Sequence, residues 1–153
     1  DIKKQYQNGA VPGMTIEPQI PGELIKKAES YTDTAIISIC RFSGEGWDRT
    51  AYIDPENKAI CDSEVEMTKR AAGIFSNGDF CLSDGEQQMV DLVKEHFDKV
   101  IVVMNVGGMV DTSWFAEDDL ISSVLFAFQG GMEGGTAAAE LLLGEGNPSG
   151  ELP

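Results

Sequence analysis

Three stretches of the chain are nearly continuous in apolar and β-branched residues, at positions 34–42, 100–106 and 123–128. Runs of this length bounded by turn residues predict strands. The second, Val100-Ile101-Val102-Val103-Met104-Asn105-Val106, is apolar nearly throughout. It therefore predicts a strand buried on both faces, as in a parallel sheet covered by helices. Between and around these runs the apolar period changes to that of a helix. Pro21 is placed to open a helix in its first turn, with Leu24, Ile25 and Ala28 on one face, Tyr31 at its edge and Glu23, Lys26, Lys27 and Glu29 toward water. Ser83 and Glu86 have the spacing of a capping box. The helix they start would carry Met89, Leu92, Val93 and Phe97 on its core face. A last helix is expected over 133–143, burying Ala137, Ala138, Leu141 and Leu142 and stopped by Gly144.

The segments between are less regular. Residues 1–20 read as a short helical start followed by a connecting segment, with Gly9, Pro12, Gly13 and Pro18 breaking any longer element. Residues 50–82 allow a short helix over 64–72, interrupted by Gly73, Asn77 and Gly78. A stretch of that length between regular elements is an insertion or a functional loop. The order helix, strand, insertion, helix, strand, short helix, strand, helix predicts a layered α/β fold, with residues 21–153 as one domain and a mostly parallel sheet flanked by helices. Each strand runs into a glycine-containing loop, and in a parallel sheet these loops share one edge, where ligands bind.

Composition narrows the partners. The chain has 153 residues, 42% hydrophobic and 24% charged, ordinary for one soluble domain. A net charge of −15 argues against a nucleic-acid backbone or an anionic membrane surface as partner. No apolar run approaches the roughly 18 residues of a membrane span. Cys40, Cys61 and Cys81 are odd in number and lack CxxC spacing. A reducing, cytoplasmic compartment fits them best, with a Cys61–Cys81 disulfide left open. The amino end has neither an initiator Met nor a signal-peptide pattern, so the chain is expected to be processed or cut from something longer.

Familiar sites can be set aside. There is no GxxxxGK[ST] phosphate loop, and GGMEGG (130–135) does not fit the dinucleotide fingerprint. His96, the single histidine, stands alone mid-helix, with no second ligand for a metal and no GxSxG serine for a triad. No cofactor or metal is expected. Carboxylates remain. SGEGWDR (43–49) follows the first strand directly and offers Glu45 between two glycines, beside Trp47, Asp48 and Arg49. A Glu on such a loop can act as general acid where partial burial raises its pKa. Glu133, at the start of the last helix, is the competitor, although a Glu there more often complements the helix dipole.

Three blocks in this order, SGEGWDR (43–49), VIVVMNVGGMVDTSW (100–114) and FQGGMEGGTAAAELLLGEGNPSGELP (128–153), resemble glycoside hydrolase family 3, the β-glucosidase type, in its second, α/β-sandwich domain. The resemblance runs from about Thr32 to Pro153. It implies a retaining, exo-acting enzyme on terminal β-linked glucose or related sugars, with a β-glucoside or short oligosaccharide as substrate. It implies Glu45 as the acid/base, Asp48 and Arg49 as residues bracing the loop or lining the site, and Trp47 as aglycone platform or packing residue. The nucleophile, an Asp on a TIM-like barrel domain, has no counterpart here, and Asp111 belongs to the sandwich motif. The sandwich is thus expected to be incomplete and, without its barrel, inactive. A non-catalytic carbohydrate-binding or scaffold module of the same fold is the alternative.

Overall fold

The computed structural model describes residues 1–10, 15–41 and 71–150. Helix α1 spans Ile2–Gln7, with the Asp1 side chain accepting from the Lys3 N–H at 3.0 Å. The Gln5 amide holds the connection that follows, accepting from the Ile16 N–H and donating to the Ile16 carbonyl, both at 2.7 Å. Helix α2 spans Gly22–Glu29. Pro21 caps it rather than entering it: its ψ of 137° is extended, and its carbonyl accepts from the Leu24 N–H at 2.9 Å. Of the predicted apolar face only Ile25 is buried, while Leu24 and Tyr31 are exposed.

Among the described residues three strands form the sheet: β1 (Thr34–Arg41), β2 (Lys99–Val106) and β3 (Ile121–Phe126), in the order β1-β2-β3 and all parallel. Parallel neighbours need crossover connections. Helix α3 (Asp84–His96) lies in the first and the short α4 (Ser113–Ala116) in the second. Ile37 pairs with Val102, Ile39 with Met104 and Arg41 with Val106, so these six side chains share a face. The β2–β3 pairing steps past Ser122, and then Val102 meets Val124 and Met104 meets Phe126. Val90 and Val93 of α3, its C-cap residue Phe97 and Ile25 of α2 close over this face to form the core. Val90 joins the stripe predicted for α3, and Met89 and Leu92 sit at its half-buried margin.

The prediction that β2 is buried on both faces needs correction. Val100, Val102, Met104 and Val106 are buried, but Ile101 and Val103 are half-buried and Asn105 is exposed. On the same second face Ile36 and Cys40 are exposed. The apolar run is real, but α2 and α3 both cover the first face. Helix α5 (Gly134–Leu142) has no buried residue, so Ala137, Ala138, Leu141 and Leu142 do not form the packed face their spacing predicts. A groove of about 660 Å³ separates it from β3 and is walled by residues such as Phe126, Phe128, Ala138 and Leu141. Among the described residues no helix is long and apolar enough to cross a membrane.

Candidate functional site

The three strands deliver their carboxyl ends to one edge. At the end of β1 the chain reaches Arg41. Glu45, Trp47, Asp48 and Arg49 lie just beyond it, outside the described residues, as does the expected helix over most of 64–72. What the structure does describe is the root from which that segment leaves.

Arg41 is 5% exposed, and all five of its guanidinium N–H groups have acceptors. Nη1 and Nη2 form a fork with Glu86 Oε1 and Oε2, each at 2.6 Å. Nη1 also donates to the Cys40 carbonyl, Nη2 to the Cys81 carbonyl and Nε to the Asp79 carbonyl, at 2.8, 2.8 and 3.0 Å. The Phe75 ring faces the guanidinium, with its centroid 4.6 Å from Cζ. Glu86 has a second task. Its Oε2 accepts from the Ser83 N–H at 2.8 Å while Ser83 Oγ accepts from the Glu86 N–H at 3.3 Å, completing the predicted capping box. One carboxylate thus joins the end of β1 to the first turn of α3. Spacing had identified Glu86 as a cap and missed Arg41, whose only sequence signal is a cation closing an otherwise apolar strand.

Glu17, on the connection after α1, lies over the same helix start. A Cβ on Gly85 would come within 3.3 Å of the Glu17 Cβ and carbonyl oxygen, so glycine allows this approach. Burial first, and then the neighbouring Glu86 carboxylate, push the Glu17 carboxyl above its usual value.

Beyond β2, Asp111 is held by its backbone N–H on the Phe80 carbonyl at 2.8 Å. Its two carboxylate oxygens accept from the Ser113 N–H and hydroxyl at 3.0 and 2.9 Å, and its carbonyl accepts from Trp114 Nε1 at 3.1 Å. The geometry assigns Asp111 to starting α4. Beyond β3, Phe128 adopts a φ of 49°, rare for an aromatic residue, and its ring lies 5.9 Å from that of Phe126. Any Cβ on Gly130 would sit 2.6 Å from the Gly134 Cα, so the turn into α5 requires glycine there. Glu133 is the exposed N-cap residue of α5, its Oε2 accepting from the Thr136 hydroxyl at 3.3 Å. This is the placement of a helix-start carboxylate.

Among the described residues two further charged contacts involve α3. His96 Nδ1 is 2.7 Å from Glu29 Oε1, linking α3 to α2 as a boundary residue. Lys94 pairs with Asp118 ahead of β3, and its hydrogen bond holds the Asp118 carboxyl below its usual value. Cys40 and Cys81 are free thiols, and Cys61 lies outside the described residues.

Comparison with known proteins joins these features to a family. The model of the glycosyl hydrolase family 3 C-terminal domain matches residues 3–153. Beta-glucosidase A of Butyrivibrio fibrisolvens is 55% identical over 99% of this chain, which spans 18% of that protein. A beta-glucosidase of Ruminococcus albus is 32% identical over 95% of the chain, which spans 13% of it. Among solved structures, the beta-glucosidase of Paenibacillus barengoltzii superposes with a TM-score of 0.72 at 31% identity, over 99% of this chain and 15% of that one. Beta-glucosidase 3B of Thermotoga neapolitana, solved with α-D-glucose, gives 0.67 at 31% identity, over 99% of this chain and 19% of that one. The chain therefore spans less than a fifth of these relatives. With three parallel strands flanked by helices and a family match along nearly its whole length, the chain belongs to glycosyl hydrolase family 3, as its C-terminal α/β-sandwich domain.

Proposed function

We propose that residues 21–153 form the acid/base-bearing sandwich of a retaining, exo-acting β-glucosidase, with residues 1–20 as a connecting segment. The observation that carries this reading is SGEGWDR (43–49) following directly on β1 in a chain whose relatives are named β-glucosidases. Retaining hydrolysis needs two carboxyl groups about 5–5.5 Å apart, one as nucleophile and the other as acid, then base. Glu45 is the second of these. It protonates the glycosidic oxygen as the aglycone leaves, then takes a proton from the water that releases the sugar. The nucleophilic Asp comes from a barrel domain, so the substrate, a β-glucoside or short oligosaccharide, is shared between the two domains. Trp47 lines the aglycone side or packs beneath it, and Asp48 and Arg49 brace the loop or line the site. The free Cys40 and Cys81 thiols suit a reducing, cytoplasmic setting.

The test is Glu45→Gln in the protein carrying both domains. General acid–base catalysis is worth roughly 10²–10⁴-fold, and that loss is expected on alkyl β-glucosides and cellobiose. In kcat/KM, which reports the leaving-group step, aryl glucosides with activated leaving groups should suffer much less. Unchanged turnover on both kinds of substrate refutes the assignment and makes Glu133 the next residue to substitute.

A further inference from the structure

We infer that the Arg41–Glu86 pair is a positioning device for the acid/base loop, aiming Glu45 from the end of β1 without touching substrate. The inference rests on the Glu45 reading above and adds to it two residues outside the SGEGWDR stretch.

Three features separate this arginine from a ligand-binding one. Its five donors are all taken by acceptors within the chain, leaving none for a sugar hydroxyl or a carboxylate. It is 5% exposed, with Phe75 against one face of the guanidinium. Its partners come from different places: Cys40 on β1 itself, Asp79 and Cys81 on the approach to α3, and Glu86 in the first turn of α3. The pair thus joins the last described residue of β1 to the first turn of α3. Glu45 is four residues further on, so covalent geometry keeps its Cα within about 14 Å of that of Arg41. Fixing Arg41 therefore constrains the chain four residues before Glu45.

The choice of a buried ion pair also favours orientation over stability. Apolar residues of similar volume are often as good or better for stability at such a place, because two charges must be desolvated to form the pair. A fork of two parallel N–H···O bonds supplies what apolar packing does not, a fixed direction. Glu86 receives that direction from the capping box, since its Oε2 is also held by the Ser83 N–H.

The experiment compares Glu86→Gln, Arg41→Lys and Glu45→Gln in the full-length protein, each assayed well below its own Tm. Glu86→Gln keeps an oxygen for the Ser83 N–H but loses the charge and the second acceptor. Arg41→Lys keeps the charge but loses the fork. Misplacing a reacting group by about 1 Å can cost about 10²-fold. The expected result is a fall in kcat/KM, which reports the leaving-group step, of about 10–100-fold on an alkyl β-glucoside. A much smaller fall is expected on an activated aryl glucoside, reproducing the leaving-group selectivity of Glu45→Gln in weaker form. Equal losses on the two substrates, or a lowered Tm with unchanged kcat/KM, overturn the positioning role. If one clamp variant does not fold, the other carries the same comparison. If Glu45→Gln itself shows no leaving-group selectivity, the acid/base reading fails and the inference fails with it. Selectivity in Glu45→Gln but in neither clamp variant overturns the inference alone.

Discussion

Two ends of the same sheet edge are built in opposite ways. Where β1 ends, a buried guanidinium has every donor matched and draws on four carbonyl or carboxylate partners within the chain. Where β3 ends, Phe128 takes a left-handed conformation, two glycines follow, and α5 rises with no buried residue beside a groove of about 660 Å³. The first end is held by directional, charge-assisted bonds at 2.6 Å. The second is set by backbone requirements, the 2.6 Å clearance at Gly130 and the φ of 76° at Gly144. Helix α5 is stopped by paired bonds from Gly144 N–H to the Leu141 carbonyl and Glu145 N–H to the Glu140 carbonyl, at 3.1 and 2.8 Å. That local chemistry defines the helix without burying it. A helix can therefore be fully specified by its ends while its apolar face stays uncovered among the described residues.

The contrast can be broken most strongly at Arg41. Arg41→Met strands the buried Glu86 carboxylate and should cost about 3–5 kcal/mol of stability, read from urea unfolding. A loss below about 1 kcal/mol would place this pair with surface ion pairs and erase the difference between the two ends. Next comes a matched truncation of apolar side chains. Met104→Ala, at a fully buried position in β2, should cost about 2–5 kcal/mol. Leu142→Ala, at a half-buried position of the otherwise mostly exposed α5, should cost clearly less, and equal costs would show that α5 is packed as tightly as the sheet.

The smallest effect concerns pH. The raised Glu17 pKa means that its protonated form favours the folded state. That contribution is present below the ordinary value of 4.5 and is lost as pH rises through the higher folded value. Glu17→Gln should therefore raise Tm slightly at neutral pH and leave it unchanged well below 4.5. A gain that persists in acid would show that ionisation is not the cause.

The elements most legible in the sequence are those whose causes are local. The Ser83–Glu86 capping box and the glycine stop of the last helix rest on contacts within a few residues and appear where expected, and the three apolar runs become strands, the third over Ile121–Phe126 rather than 123–128. A proline fits both the cap and the first turn of a helix, and only the extended ψ of Pro21 places it at the cap rather than inside α2. The family, too, is written in short blocks of sequence, and the match over residues 3–153 agrees with them.

Tertiary structure alone decided what depends on partners far apart in the chain. Arg41 and Glu86 are 45 positions apart, and no periodicity joins them. A run such as Val100-Ile101-Val102-Val103 is equally apolar on both sides, so its residues cannot say which face the helices cover. The same holds for α5, where helical spacing defines an apolar stripe but not whether anything lies against it. Hydrogen-bonding caps and backbone conformation act over a few residues and are read directly from the chain. Burial and ion pairing depend on which surfaces meet, and that is known only once the sheet has formed.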